Sequence, residues 1–371
     1  MASTAAMDFL VDRNDLSRYE LREHQIDADA LAPGQALLRI DHFAFTANNI
    51  TYAAMGEHMR YWQFFPAPAN RGLIPVWGFA EVQASRCEGV EPGARFYGYY
   101  PMSTHLVVKP EQVKGGSFVD GSEHRRPLPV LYNQYLRCSR DPFYSAGSEP
   151  VQMLLRPLFT TSFLLDDFFA DNHFFDAKRL VLTSASSKTA IGLAYLLHRE
   201  QHCEIVGLTS PTNRAFVEGL GCYDRVLGYD QVADLDARVA TATVDFAGNG
   251  ELLGRLHTYF AAQLRHSCLV GASHWDQRAG LPKDLPGARP QLFFAPAQAE
   301  KRLQEWGGTG FHQHLAERWA SFTAFTEQWL SFEHGLGPTA VGRMYQEILA
   351  GHASPQTGHV LSLFSSQGGS I

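Results

Sequence analysis

No C-x-x-C pair and no cysteine/histidine cluster occurs in this chain: the five cysteines, Cys87, Cys138, Cys203, Cys222 and Cys268, are odd in number and far apart. This removes the simplest route to a structural zinc site and fits a reducing compartment, so a cytoplasmic location is expected. Positive charge is also scarce. With 31 Lys and Arg against 38 Asp and Glu, the formal net charge is −7, which argues against nucleic acid or an anionic membrane as the main partner. Long apolar runs are missing as well. Asp8, Asp12 and Arg13 interrupt the N-terminal segment before a signal peptide could develop, and no membrane span is visible. There is no internal repeat or low-complexity tract. The ordinary balance of 45% hydrophobic and 19% charged residues excludes a disordered chain. A small molecule is the expected partner.

At 371 residues the chain is long enough for two domains of about 100–200 residues each. The first third is β-rich with Gly/Pro punctuation: Ala36–Ile40, Gly72–Gln83, Ala94–Tyr100 and His105–Val108 read as strands of a small barrel or sandwich. A helical region runs from about Ser148 to Asp167, with its leucines and Phe163 on one side. From Lys178 strand and helix alternate. Asp224–Leu227, Thr241–Phe246 and Ser267–Gly271 read as strands, and Arg214–Leu220 and Glu251–Leu264 as helices, which predicts a doubly wound parallel sheet. Two helical segments, Phe294–Trp306 and Phe311–Trp329, follow the Pro/Gly-rich stretch Arg278–Pro290. The final strand, Gly358–Phe364, has to pair somewhere, and the first domain offers the sheet.

The segment Lys178–Gly221 carries the most information. Arg179–Ser184 (RLVLTS) is a buried-type strand, Ala185–Thr189 a tight turn, Ala190–His198 a helix, and Glu204–Thr209 (EIVGLT) a second strand, parallel to the first. A helix that starts after such a turn points backbone N–H groups at whatever lies above it, which suits a pyrophosphate. The glycine fingerprint is incomplete. Where a dinucleotide site usually reads G-x-x-G-x-x-G, this chain has Ser186-Ser187-Lys188-Thr189-Ala190-Ile191-Gly192, so Gly192 alone remains to let the helix sit tightly on the strand. By itself the turn reads equally well as a generic α/β connection.

A β-rich N-terminal domain, an inserted nucleotide-binding domain and a return to the first domain resemble the medium-chain dehydrogenase/reductase superfamily. The anchors are Gly34–Gly56, Pro92–Pro110, Leu180–Leu193, Ile205–Tyr229 and TVDFAGNGELL followed by CLVGASHW. In order and spacing they are similar to the zinc-independent quinone-oxidoreductase branch, or to an uncharacterised domain-of-unknown-function family within the superfamily. The resemblance implies a GroES-like domain over 1–150 with 310–371 and a Rossmann domain over 151–309. It also implies NADP(H) as cofactor, and a homodimer. The zinc enzymes' catalytic Cys and G-H-E stretches read here Thr46-Ala47-Asn48-Asn49 and Val76-Trp77-Gly78-Phe79, so no metal is expected.

Cofactor choice turns on the end of the second strand. An acid there would take the ribose 2′-hydroxyl of NAD. The chain has Thr209-Ser210-Pro211-Thr212-Asn213-Arg214 with no acid until Glu218, which favours NADPH, with Arg214 and Lys188 as cations for phosphate. Each also reads as a solvated surface residue. The expected cofactor contacts are Ser186, Ser187, Lys188, Thr189, Gly192, Thr209, Ser210, Asn213, Arg214, Tyr229, Ala247 and Gly271, with Ala272–His274 on the same crevice; Tyr229 also reads as packing. His173 and His274 read as surface or hydrogen-bonded residues rather than ligands.

On the substrate side the resemblance places Asn48, Asn49 and Tyr52 on the loop that faces the nicotinamide. Tyr52 is a candidate hydrogen-bond or proton donor, or else a tyrosine with its ring in the core; the two asparagines also read as ordinary turn residues. The aromatic residues Tyr61, Trp62, Phe64, Phe65, Trp77, Phe79, Phe96, Tyr97, Tyr99 and Tyr100 read as core, with a subset near Tyr52 able to touch an apolar or aromatic substrate. Two functions fit these residues: reduction of a quinone, enone or activated carbonyl, or NADPH binding without catalysis. A third, acyl-thioester reduction, needs a channel with basic residues at its mouth, which the sequence does not reveal.

Overall fold

The computed structural model describes residues 3–270 and 285–365. The chain divides into two units, one formed by residues up to Leu154 and from Leu330 on, the other by Leu155–Trp329. In the first unit come β1 (Ser3–Asp12), β2 (Tyr19–Asp27), β3 (Ala36–Phe45), α1 (Ala47–Ala54), β4 (Arg71–Leu73), β5 (Pro75–Ser85), β6 (Arg95–Pro101), β7 (His105–Val108), β8 (Pro110–Lys114), β9 (Ser117–Asp120) and β10 (Gln134–Arg137). Helix α2 (Glu149–Asp171) carries the chain across the division. The second unit holds β11 (Arg179–Leu182), α3 (Lys188–Glu200), β12 (Glu204–Thr209), α4 (Arg214–Gly219), β13 (Arg225–Gly228), β14 (Thr241–Asp245), α5 (Gly250–Phe260), β15 (Leu264–Val270), β16 (Pro290–Phe293) and α6 (Ala295–Thr326). The return to the first unit is β17 (Ser331–Leu336), α7 (Pro338–Leu349) and β18 (Thr357–Ser362).

The second unit is a six-stranded parallel sheet in the order β13-β12-β11-β14-β15-β16. Its central strand β11, RLVL, is buried along its whole length, which is why it reads as a continuous apolar run rather than an alternation. The order steps outward in both directions from β11, so the carboxyl ends of β11 and β14 flank the switch point where ligands of such sheets bind.

The first unit is built around a nine-stranded sheet, β17-β18-β3-β5-β6-β10-β9-β8 with β7 also on β3, and a smaller sheet β2-β1-β4. As expected from its isolation, the last strand pairs with the first domain: His359, Val360 and Leu361 lie antiparallel to Phe45, Ala44 and Phe43. The parallel neighbour β17 and the helix between them are absent from the sequence reading. Helix α7 starts by the usual chemistry, Gly337 at φ 83° followed by Pro338, and buries Val341, Met344, Tyr345 and Ile348 in the core with Phe9, Phe43, Phe45 and Leu361.

Three expectations need correction. The return to the first unit falls after Trp329, not at 310: α6 continues past 310, and its Phe311, Trp319 and Phe322 pack on Phe159 and Phe163 of α2 within the second unit. The two helices expected over 294–329 are this one helix, broken in its torsions only at Gly307 (φ 69°). The stretch holding Asn48, Asn49 and Tyr52 is helix α1, not a loop, because Thr46 and Asn49 close a capping box at its start.

Candidate functional site

In the second unit, the turn between β11 and α3 is fixed by side chains at the strand ends. Thr183 Oγ1 donates to Asp245 Oδ1 (2.6 Å) and accepts the backbone N–H groups of Phe246 (2.9 Å) and Ala247 (3.1 Å). Ser184 takes a left-handed φ of 48°. The next residue crosses over β12, where Gly207 has no side chain: a Cβ there would stand 2.8 Å from that of Ala185. Ala185 N–H donates to the Leu208 carbonyl, and the Ala185 carbonyl accepts from Tyr223 (2.8 Å). Thus the missing glycines of the turn are offset by a glycine in the neighbouring strand.

Ser187 caps α3, its hydroxyl accepting from Ala190 N–H at 3.4 Å. Lys188 is the first helical residue, half-buried, and burial depresses its ammonium pKa to about 8. Ser186 and Asn213 join the two strand ends, Asn213 Nδ2 donating to Ser186 Oγ at 3.0 Å. Thr209 is buried at the end of β12, and its hydroxyl has no partner among the described residues. Half-exposed Arg214 donates to Glu218 (2.8 Å) and to Gln231 Oε1 (2.9 Å), so the acid absent from the strand end pairs with this arginine one turn along the helix. An exposed i,i+4 pair of this kind is worth well under about 1 kcal/mol and gives way easily to a phosphate.

Three expected contacts have other employment. The Ala247 N–H is taken by Thr183 and Asp245. Tyr229 packs half-buried on the Val181, Val206 and Leu208 core. Gly192 serves a helix rather than the strand: a Cβ there would lie 2.7 Å from Ser162 Oγ of α2, whose hydroxyl donates to the Thr189 carbonyl at 2.8 Å. Gly271 and Ala272–His274 lie outside the described residues. His173 begins a turn of four left-handed residues, His173–Asp176, that leads into the start of β11, away from the strands' carboxyl ends.

In the first unit, α1 separates its two asparagines. The Asn49 carboxamide accepts from Thr46 N–H (2.8 Å) and donates to the Pro75 carbonyl (2.9 Å), and the residue is buried. It belongs to the helix cap. Asn48 and Tyr52, four residues apart, share the other face. Burial pushes the Tyr52 hydroxyl well above its ordinary pKa and Tyr132 adds to this, while the Asn48 and Trp77 side chains beside it act the other way.

Around Tyr52 the aromatics divide by strand alternation. On β6, Phe96 and Tyr100 enter the main core, whereas Tyr97 and Tyr99 face Trp77 and Phe79 of β5, in register as Trp77↔Tyr99 and Phe79↔Tyr97. Trp77 lies 5.0 Å from Tyr99 and stacks on Tyr97 at 5.4 Å between ring centroids; Tyr52 meets Tyr61 at 4.4 Å and Tyr99 at 6.0 Å. Trp62 turns away to cover Gly56 and Gly72, and so is not part of this group. Two members escaped the sequence reading. Tyr132 packs on Tyr99 at 4.8 Å, and fully buried Arg125 holds it there by donating to its carbonyl (2.6 Å) while also bonding Asp120, Asn133 and Tyr135. Little in the sequence singled them out: Arg125 stands in the charged run His124-Arg125-Arg126, and the aromatics around it come from segments far apart in the chain.

A charged network stands next to the same strands. Glu149, at the start of α2, receives a two-pronged bond from Arg95 (2.6 and 2.9 Å), His42 at 2.7 Å and the Tyr144 hydroxyl at 2.8 Å, and Arg95 also pairs with Asp41. Burial would raise the Glu149 pKa, but His42 and Arg95 bring it down to about 2. Among the described residues no group of three or more His, Cys, Asp or Glu side chains is arranged to hold a metal ion, and no helix is long and apolar enough to cross a membrane.

The whole chain superposes on solved oxidoreductase structures. CurA from Vibrio vulnificus in complex with NADPH aligns with a TM-score of 0.61 at 12% identity over 97% of this chain and 98% of that one. The yhdH oxidoreductase from Salmonella enterica in complex with NADP gives 0.51 at 14% identity (96% and 99% of the chains), and the quinone oxidoreductase from Coxiella burnetii gives 0.52 at 9% (96% and 99%). At these identities the likeness establishes the fold alone, a GroES-like domain with a Rossmann domain. The sequence matches no curated protein. Residues 43–354, most of the chain, match the family described as "Protein of unknown function (DUF2855)", and the chain belongs to that family.

Proposed function

We propose that this protein is an NADPH-dependent, zinc-independent reductase of a quinone, enone or activated carbonyl. The observation that carries the reading is the end of β12. Thr209 leaves a buried hydroxyl there without a partner among the described residues, Ser210 and Asn213 follow, Arg214 is held by an exposed pair with Glu218 and by Gln231, and no carboxylate stands at the ribose position. A 2′-phosphate supplies acceptors for all of these groups, and the N-terminus of α3 with Lys188 suits the pyrophosphate. The NADPH and NADP in the complexes of two solved structures of this fold agree with this assignment.

The bound cofactor would supply hydride. The chain's own residues hold the acceptor molecule and its developing negative charge, and without a Cys, His or Glu at Thr46–Asn49 and Val76–Phe79 that task falls to hydrogen-bond donors. Tyr52, kept protonated by its buried setting, donates to the substrate oxygen; Asn48 on the same helix face steadies the hydroxyl. Asn49, committed to the α1 cap, has no part in the step.

The test is oxidation of NADPH and NADH against a panel of quinones and enones, with binding of each cofactor measured in parallel. Arg214→Ala should weaken NADPH about ten- to a hundredfold and spare NADH, as expected for one charge-assisted phosphate contact. An equal loss for both cofactors overturns the cofactor assignment. Tight NADPH binding without turnover on any acceptor would favour a binding protein that does no chemistry.

A further inference from the structure

Strand β13 ends at Gly228, which stands opposite Thr209 at the end of β12. The chain then turns through Tyr229, Asp230 and Gln231, and the turn is closed twice: Gln231 N–H donates to the Gly228 carbonyl (3.0 Å), and Gly228 N–H donates to Gln231 Oε1 (2.9 Å). The same oxygen accepts from Arg214 Nη1 at 2.9 Å. Two donors converge on it, so the carboxamide has one orientation, with Nε2 directed to Asp234 Oδ2 at 3.4 Å. Glycine at 228 lets this side chain fold back on the strand end, because a Cβ there would stand 3.3 Å from Gln231 Oε1 and 2.6 Å from Asp230 Oδ1.

Arg214 is thus held from two sides, at Nε by Glu218 and at Nη1 by Gln231. The two holds differ in kind. Glu218 is an exposed side chain on the arginine's own helix, whereas Gln231 is half-buried, tied to another strand, and fixes where the guanidinium stands relative to the end of β12. Asp230 and Asp234 lie close by in the chain, yet the group that meets the arginine from this side is uncharged. A carboxylate in its place would form a charge-assisted pair, offset the charge of the guanidinium and repel a phosphate; a carboxamide orients the fork and leaves its charge available.

We infer that Gln231 is a positioning residue that aims Arg214 at a phosphate on the cofactor's adenosine ribose, and that its lack of charge sets the preference for a phosphorylated over an unphosphorylated ribose. The inference rests on the NADPH reading of the β12 end. Gln231 itself need not touch the cofactor.

Two nucleotides isolate the effect: 2′,5′-ADP and 5′-AMP, which differ only in the 2′-phosphate and carry no nicotinamide. Each is titrated calorimetrically into the full chain, where 2′,5′-ADP should bind at least tenfold more tightly. Gln231→Met should weaken 2′,5′-ADP about tenfold, leave 5′-AMP unchanged, and cause no further loss when added to Arg214→Ala, because the glutamine acts through the arginine. Gln231→Glu keeps an acceptor for Gly228 N–H, so it remains informative if Gln231→Met fails to fold; it should weaken 2′,5′-ADP more than tenfold and spare 5′-AMP. Equal losses for both nucleotides, or a Gln231→Met loss that adds in full to that of Arg214→Ala, overturns the inference. A selective loss in Arg214→Ala with none in either Gln231 variant overturns it too, and leaves the NADPH reading standing. No preference for 2′,5′-ADP in the unaltered protein removes both.

Discussion

Asn48 and Asn49 are adjacent and do different work, because a helix turns about 100° between them. Removing the Asn49 carboxamide breaks the capping box and leaves the buried Pro75 carbonyl unmatched, so Asn49→Ala should destabilise the fold by about 2–4 kcal/mol. A lowered thermal midpoint with normal turnover per folded molecule checks it. Tyr52→Phe should do the reverse, cutting turnover about 10²-fold at nearly constant midpoint and NADPH affinity. An unchanged rate on an active substrate would remove Tyr52 from the proposed chemistry. Glu149 gives a pH signature. Its folded pKa of about 2 lies below that of the unfolded chain, so its contribution is fully present above about pH 4.5 and is lost as pH falls through 2. Wild-type stability should drop on the order of 3 kcal/mol more over that window than that of Glu149→Gln, measured by denaturant titration at each pH.

At the scale of elements, β11, α3 and β12 were legible because a buried parallel strand and an amphipathic helix have distinct periods, and Glu204–Thr209 was placed with its exact bounds. Helix α1 was hidden by its asparagines, which read as turn formers until the cap they build is seen. Strand β2 is hidden for another reason: it is exposed at nearly every position, so it lacks an apolar face to read. The site was half legible. Tyr52 and the residues at the end of β12 could be named from sequence, whereas Tyr132 and Arg125 depend on contacts between distant segments. Gly192→Ala tests the packing of α3. The new methyl gains about 1 kcal/mol of helix propensity but meets Ser162 Oγ at 2.7 Å, and overpacking of about 1–3 kcal/mol should prevail, lowering the thermal midpoint. Lys188, at the same helix's first turn, loses its proton near pH 8 in the free protein. NADPH affinity should therefore fall above pH 8, by up to tenfold per pH unit, and Lys188→Arg should abolish that decline in a calorimetric series.

For the whole molecule, the first unit is assembled from both ends of the described chain and the second from one contiguous stretch. A protein ending at Trp329 should keep a cooperative transition and NADPH binding from the second unit while the first loses protection in hydrogen exchange, because β3 then lacks β18 along His359–Leu361 and the core lacks Val341, Met344 and Tyr345. Retained protection of β3 in that truncated chain would contradict the sheet pairing. The same pairing sets a timetable during synthesis. At about 5–20 residues per second, the ribosome takes roughly a quarter-minute to a minute between making Phe45 and making its partner His359. Throughout that interval the apolar edge Phe43-Ala44-Phe45 has no neighbour on that side, the condition under which strands recruit other chains. The long wait for β18 therefore makes the β3 edge the place where a stalled or slowly made chain is most exposed to mispairing.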